Sequence, residues 1–326
     1  MGRRTRTRRA VTTAALLAAT VTTALAAGCT AQHGDRTDDG RGRSPASTPS
    51  TERSPAGPVL AVKIDNVGAA RPQTGLDAAD VIYAEQVEGG LSRLMAVFAT
   101  RLPKAVGPVR SARESDLELL RQFDRPTLAF SGAQGKLLPL IGRAPLTARS
   151  PDQASAAYYR GTSHAAPHNL YVRPGRLLGA APGAAALTTG FRYGAAPAGG
   201  TALTHRAVRY PAAAFTFDWS AEKGRWLVGE DGGPALTSDG KPLAPATVVV
   251  QYVRIRSSRY HDVLGNNTPY TESVGSGTAQ VLRGGRAYDV RWKRPTAAGG
   301  TRFTTADGTP VNFAKGQVWV VFAKAS

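Results

Sequence analysis

The sequence predicts an α+β (or α/β) segment over 58–200 followed by a mostly β segment over 206–326. Three observations lead there. Strand-like apolar runs alternate with helical patterns up to about residue 145. From about 206 the runs shorten and are punctuated by the turn pairs Asp239-Gly240, Gly284-Gly285 and Asp307-Gly308. Between the two patterns lies an Ala-, Gly- and Thr-rich stretch, 178–205, which reads as a boundary. A chain of 326 residues has room for about two domains. With 42% apolar and 20% charged residues it can build a core, so wholesale disorder is excluded. Its single cysteine excludes an internal disulfide and any multi-cysteine metal cluster.

The first elements concern address rather than fold. Residues 1–9 carry five Arg and no acid, and Ala10 to Ala27 is uncharged, with five Thr among Ala, Val and Leu. Gly28-Cys29 then closes the run. Basic head, apolar middle and small-residue end are the parts of an export signal. Leu25-Ala26-Ala27-Gly28-Cys29 resembles a lipobox, with Ala26 where leucine is usual. On this reading 1–28 is a lipoprotein signal peptide and Cys29 carries the lipid. The alternative, an uncleaved anchor, fits poorly with the threonines and the small-residue ending. Residues 29–57 contain no large apolar side chain and read as a disordered tether. Arg8-Arg9 leaves the export route open between general and twin-arginine.

Val59 to Ile64 reads as a buried strand ending at Asp65-Asn66, and Arg71 to Asp80 as irregular. Val81 to Glu88 and Leu91 to Thr100 read as a hairpin around a two-residue Gly89-Gly90 loop. In that register Glu85 pairs with Leu94 and is the one charge on a face shared with Val81, Tyr83, Val87, Ala96 and Phe98. Gly107-Pro108 is a turn. Ser111 and Glu114 have capping-box spacing and open a helix to about Phe123, ended by Pro126. Thr127 to Phe130 is a strand and Lys136 to Ile141 a helix. The clearest later strands are Thr247 to Ile255, Ala279 to Leu282, Ala287 to Trp292 and Gln317 to Ala323.

Chemistry is expected in the first segment. A carboxylate on an apolar face must be paired or protonated, so Glu85 is either a site acid or half of an ion pair with Arg110 or Arg113. Those two arginines flank the expected helix start, where free N–H groups and the dipole favour phosphate or carboxylate. Asp65 ends one strand and Asp80 precedes another; a divalent cation there is conceivable, but turn-making is the preferred reading and no cofactor is expected. His164 and His168 have i, i+4 spacing with Pro167 between, a weak zinc pattern; His168-Asn169 reads as a post-proline turn lining the same cleft. Trp219, Trp226, Trp292 and Trp319 read as core, with carbohydrate stacking the lesser alternative. The candidate ligand set is Asp65, Arg71, Glu85, Arg110, Arg113, His168 and Asn169. Five of them, Asp65, Glu85, Arg110, Arg113 and His168, are expected to converge on one cleft.

One run of words in this stretch is distinctive: Lys63-Ile64-Asp65-Asn66, Ala70-Arg71-Pro72-Gln73, Ala79-Asp80-Val81-Ile82-Tyr83, Glu88-Gly89-Gly90, Gly107-Pro108-Val109-Arg110-Ser111-Ala112-Arg113 and Pro167-His168-Asn169-Leu170. Val248-Val249-Val250-Gln251, Gly275-Ser276-Gly277, Trp292-Lys293 and Gly316-Gln317-Val318-Trp319 continue it. Together they resemble the YerB-like bacterial lipoproteins over about 58–326. The resemblance implies a two-domain lipoprotein on the outer membrane face and brings no reaction with it.

Of the 41 basic and 23 acidic residues, nine and four precede residue 58, leaving 32 and 19 in the folded part, a net +13. Arg supplies 33 of the basic residues, a bias that in an Ala- and Gly-rich chain partly reflects high-GC coding. The first functional reading is a non-catalytic, membrane-anchored lipoprotein binding an anionic envelope polymer or lipid phosphate near Arg110 and Arg113. The alternatives are a phosphotransferase or hydrolase acting on phosphorylated envelope precursors, and an adaptor docking a protein partner. The extracytoplasmic address argues against nucleic acid.

Overall fold

The computed structural model describes residues 57–262 and 264–325; the signal segment, Cys29 and all but the last residue of the tether lie outside the described residues. β1 (Leu60–Asp65) is buried along its whole length, as a strand covered on both faces must be. It pairs antiparallel with β3 (Ser92–Phe98), which pairs antiparallel with β2 (Val81–Gln86). On its other side β1 runs parallel to β4 (Thr127–Ala129), and β4 parallel to β5 (Thr147–Arg149). Two short helices, α1 (Glu114–Leu120) and α2 (Leu138–Arg143), and a small pair, β6 (Tyr158–Arg160) with β7 (Leu170–Val172), complete this mixed segment.

The remainder is almost all strand, as the turn pairs predict. β8 (Thr201–Ala202) precedes a four-stranded antiparallel sheet of β9 (His205–Tyr210), β10 (Ala213–Ser220), β11 (Arg225–Glu230) and β12 (Gly233–Pro234). β13 (Thr247–Val253) is followed by an arm, β14 (Ile255–His261) and β15 (Asn267–Thr271). Then come β16 (Gly275–Arg283), β17 (Arg286–Arg294), β18 (Arg302–Thr304) and β19 (Val318–Lys324). The turn joining β16 to β17 is the two-residue Gly284-Gly285, with φ of +57° and +71°, a conformation that favours glycine.

Strands of both segments build one sheet, ordered β18-β17-β16-β13-β19-β2-β3-β1-β4-β5, with β8 on β17. β19 lies between β13 and β2, parallel to both, so Val318 sits beside Thr247 on one side and Val81 on the other. The four-stranded sheet contributes Phe215 and Phe217, which meet Trp319 of the large sheet at 6.2 Å between ring centroids in edge-to-face contact. Leu119, Leu120 and Ile141 of the helices join a second core cluster with Val81, Tyr83 and Val97. Trp226, Trp292 and Trp319 are buried in these cores and Trp219 tilts onto Trp226, so packing accounts for the tryptophans; each such burial contributes about 2–3 kcal/mol.

Two local expectations need correction. The hairpin loop holds three residues, Glu88–Gly90, because the Val87 N–H donates to the Leu91 carbonyl at 2.8 Å. The register places Glu85 opposite Arg93, not Leu94. A shift of one residue turns every β3 side chain to the other face. The cause is tertiary. Gly90 docks on the β9–β10 turn, taking the Ala212 N–H on its carbonyl at 2.9 Å. A Cβ on Gly90 would come 2.5 Å from that of Pro211. The second correction concerns α1, which begins at Glu114, so Arg113 and not Ser111 is the N-cap. The preceding residues stay extended because the Arg110 N–H donates to the Lys63 carbonyl and the Ala112 N–H to the Gly132 carbonyl. Asp116 closes the cap, accepting the Arg113 N–H at 2.7 Å.

Candidate functional site

The hairpin register builds the site. Asp65 on β1, Arg93 on β3 and Glu85 on β2 stand in one row across three adjacent strands, with side chains on a common face. Two residues before Asp65 on β1, on the same face, stands Lys63, opposite Met95. Lys63 is fully buried and donates to Glu85 and, at 2.7 Å, to Asp116 of α1. The Ser115 hydroxyl donates to the other Glu85 oxygen at 3.0 Å. The partner of Glu85 is thus a lysine, not Arg110 or Arg113 as expected. Under the register first assigned, Arg93 would have faced away, and no pattern separates Lys63 from an ordinary strand-end lysine. Burial pushes the Glu85 carboxyl up to about 7, Lys63 opposing and Asp116 adding to the shift.

Next to this buried group opens a cleft of about 770 Å³. Arg93, Arg110 and Arg113 line it, together with Glu88, Ser111 and the tip of the β14–β15 arm. Glu88 accepts two bonds from Arg113, at 2.6 and 2.7 Å, in the paired geometry that suits guanidinium to carboxylate. The Thr268 hydroxyl, on the arm, donates to the same Glu88 at 2.5 Å and ties the arm to the hairpin loop. Burial opposes ionisation of Glu88, but Arg113 and Thr268 outweigh it and hold the carboxyl below its ordinary range.

Arg110 leaves the extended segment toward Asp65, its Nε 3.3 Å from Oδ2. His168 Nδ1 lies 2.8 Å from that same oxygen, so strand end, extended segment and post-proline turn meet on one carboxylate. Arg93 donates to the Ser111 carbonyl at 3.2 Å. Among the described residues no carboxylate comes within salt-bridge distance of it. Burial, with Arg113 and Arg110 adding to it against Glu88 and Asp65, pushes its guanidinium down to about 10. At neutral pH it remains a cation, one with carboxylates in the neighbourhood but none paired to it.

The other expected site residues lie elsewhere. Arg71 donates to the Asn66 carbonyl and pairs with Glu230 and Asp231 at the end of β11. Asn169 holds the β6–β7 pair through Gly161 and Arg160. Asp80 caps the end of β3, accepting the Ala99 and Thr100 N–H groups at 2.7 and 2.9 Å, which is the turn-making role preferred for it. His164 faces the Pro72 carbonyl, apart from the Asp65 contact of His168. Among the described residues no group of three or more His, Cys, Asp or Glu is placed to hold a metal.

The N-terminal domain of DUF3048, described as a protein of unknown function, matches residues 46–187, and the DUF3048 C-terminal domain matches 206–320. Over 122 residues the chain is 34% identical to "Putative lipoprotein YerB" of Bacillus subtilis (strain 168), a match spanning 37% of this chain and 36% of that relative. The crystal structure of YerB protein from Bacillus subtilis superposes with a TM-score of 0.68 at 20% identity, covering 82% of this chain and 91% of that one. At that identity the superposition speaks for the fold. Two matched domains, in family order and together spanning most of the chain, make it a member of the DUF3048 family of proteins of unknown function, the family of YerB.

Proposed function

We propose that the protein is a lipid-anchored extracytoplasmic lipoprotein whose cleft binds an anionic ligand of the phosphate or carboxylate class. The anchor reading rests on the sequence ending at Cys29, and a relative described as a lipoprotein supports it. Among the described residues no helix is long and apolar enough to cross a membrane. One observation carries the binding reading. Three guanidinium groups face one cleft; Arg110 and Arg113 are each paired with an internal carboxylate, and among the described residues none lies within salt-bridge distance of Arg93. A guanidinium short of counter-charge in a partly desolvated cleft gains most from an arriving anion. The test is titration of the protein with inorganic phosphate and pyrophosphate. Binding is expected, weakening with added salt. Arg93→Gln should weaken it about 10–100-fold, the worth of a charge-assisted hydrogen bond. Unchanged affinity in that variant would remove the reading.

The Asp65–His168 contact favours a second reading, hydrolysis or transfer on a phosphorylated envelope precursor. A carboxylate on Nδ1 holds the ring so that Nε2 is the atom able to take or give a proton. Release of phosphate from a pyrophosphate ester by the wild type, lost in His168→Ala, would establish it.

A further inference from the structure

We propose that the ligand is an amphiphile: a phosphate-class head held by Arg93, Arg110 and Arg113, and a hydrocarbon chain laid along the remaining wall of the same cleft. This rests on the anion reading above and narrows it to lipid phosphates, against the polymeric anions that share their charge.

Size is the first argument. A cleft of about 770 Å³ falls in the range of roughly 300–1,000 Å³ that takes drug-sized ligands. A bare phosphate fills a small part of it, so the ligand has a body. The walls describe that body. Beyond the arginines, the cleft joins an apolar set, Val67, Val87, Leu91, Leu137 and Leu264, to polar groups that include Glu114, Gln134, His261 and Asp262. The five apolar side chains offer no hydrogen bonds, so the part of the ligand that lies on them is best matched when it is itself apolar. A hydrocarbon chain loses nothing there.

Exposure is the second argument. Among the described residues four large hydrophobic side chains are exposed, and two of them, Leu91 at 38% and Leu264 at 82%, line this one cleft. Leu264 is held out by its turn. Asp262 accepts the Leu264 N–H at 2.9 Å and the Asn266 N–H at 2.8 Å, and the Asn266 side chain returns a third bond at 2.9 Å. The arm carrying that turn is fastened beside the arginines through Thr268 and Glu88. An exposed leucine on a hydrogen-bonded turn, in the same cleft as a guanidinium without a paired carboxylate, suits a ligand that is anionic at one end and apolar at the other.

The experiment uses the full chain in nanodiscs of zwitterionic lipid, with empty nanodiscs subtracting partition into the bilayer. Methyl, butyl and hexyl phosphate are titrated by calorimetry. Each methylene that reaches the apolar wall tightens binding by up to about three- to fourfold. Hexyl phosphate is therefore expected to bind at least about tenfold more tightly than methyl phosphate. The double variant Leu91→Ser with Leu264→Ser should flatten this chain-length slope while leaving methyl phosphate affinity unchanged; Arg93→Gln should weaken all three ligands in proportion. Equal affinity for methyl and hexyl phosphate overturns the amphiphile and leaves the anion reading standing. A slope that survives the leucine changes places the chain elsewhere and also overturns it. Failure of all three phosphates to bind overturns both.

Discussion

Lys63 and Glu85 meet inside the fold as an ion pair, with 0% and 4% of their side chains exposed. The same ammonium also serves Asp116 at 2.7 Å. One cation therefore answers two carboxylates in a place water does not reach, and the Ser115 hydroxyl and the Arg113 N–H supply the remaining bonds. Breaking such a group from one side costs far more than replacing it, because the stranded charge stays buried. Lys63→Met is thus expected to destabilise the fold by about 3–5 kcal/mol in chemical denaturation. Adding Glu85→Gln, which removes one stranded charge, should recover part of that loss. A single variant of wild-type stability would show that the pair is not formed.

Glu230 at the end of β11 predicts a pH dependence. It is 4% exposed, and burial raises its carboxyl to about 7, with Arg71 opposing and Asp231 adding. Its ordinary value is 4.5. Between these values the folded state holds the proton that the unfolded state releases, so the contribution of Glu230 to stability is greatest below pH 4.5 and falls as pH rises toward 7. The fall amounts to as much as about 3 kcal/mol. Glu230→Gln should remove this component from a curve of stability against pH. An identical slope in variant and wild type would count against it.

The hairpin loop separates two glycines that look alike in sequence. Both have positive φ, +66° at Gly89 and +74° at Gly90. A Cβ on Gly89 meets nothing within 4 Å, whereas one on Gly90 comes 2.5 Å from Pro211. Gly89→Ala should cost about 1–2 kcal/mol, the left-handed penalty alone. Gly90→Ala should exceed it by a further 1–3 kcal/mol or so, the cost of overpacking. Urea midpoints with equal slopes would measure the difference; equal losses would mean the loop is not docked on the β9–β10 turn.

Asp65 is an internal rival for any anion that comes to Arg110. Its Oδ2 already receives Arg110 and His168. Asp65→Asn keeps the shape and removes the rival charge, so inorganic phosphate should bind more tightly, by about 3–10-fold. Weaker binding would mean that Asp65 instead aims Arg110 at the ligand.

For the anchor, Cys29→Ala should prevent lipidation and move the protein from the membrane fraction to the soluble fraction, or leave it unprocessed at higher mass. Fractionation with metabolic lipid labelling distinguishes these. A lipid-labelled variant would show that another residue carries the anchor.

The sequence exposes those features that local chemistry dictates. Alternating and continuous apolar runs marked β1, β2, β3 and β19, and the paired glycines at 284–285 marked a true two-residue turn, because side-chain period and φ preference are written in the residues themselves. Asp65, Arg110 and His168 could be placed together because each stands at the end or start of an element. Arg93 could not. Its face depends on whether the loop before it holds two residues or three, and Pro211, 121 positions beyond Gly90, decides that. Lys63 was hidden for a related reason: a lysine in a strand reads as solvent-facing until the strand is known to be covered on both sides.

The position of β19 bears on how the molecule can be assembled. Val318 and Val81 are neighbours in the sheet across 237 positions of chain, and β19 also separates β2 from β13. Neither half can finish its pairing until residues 318–324 arrive; before then β2 and β13 each present an open edge able to pair with a stranger. Contacts of such long range form slowly. If the chain is threaded across a membrane from its N-terminus, it emerges for most of that passage with its middle strand still on the other side, so the sheet closes only after delivery is nearly over. Truncation just before residue 318 would leave two unjoined half-sheets and an aggregating product, not a smaller version of the same fold.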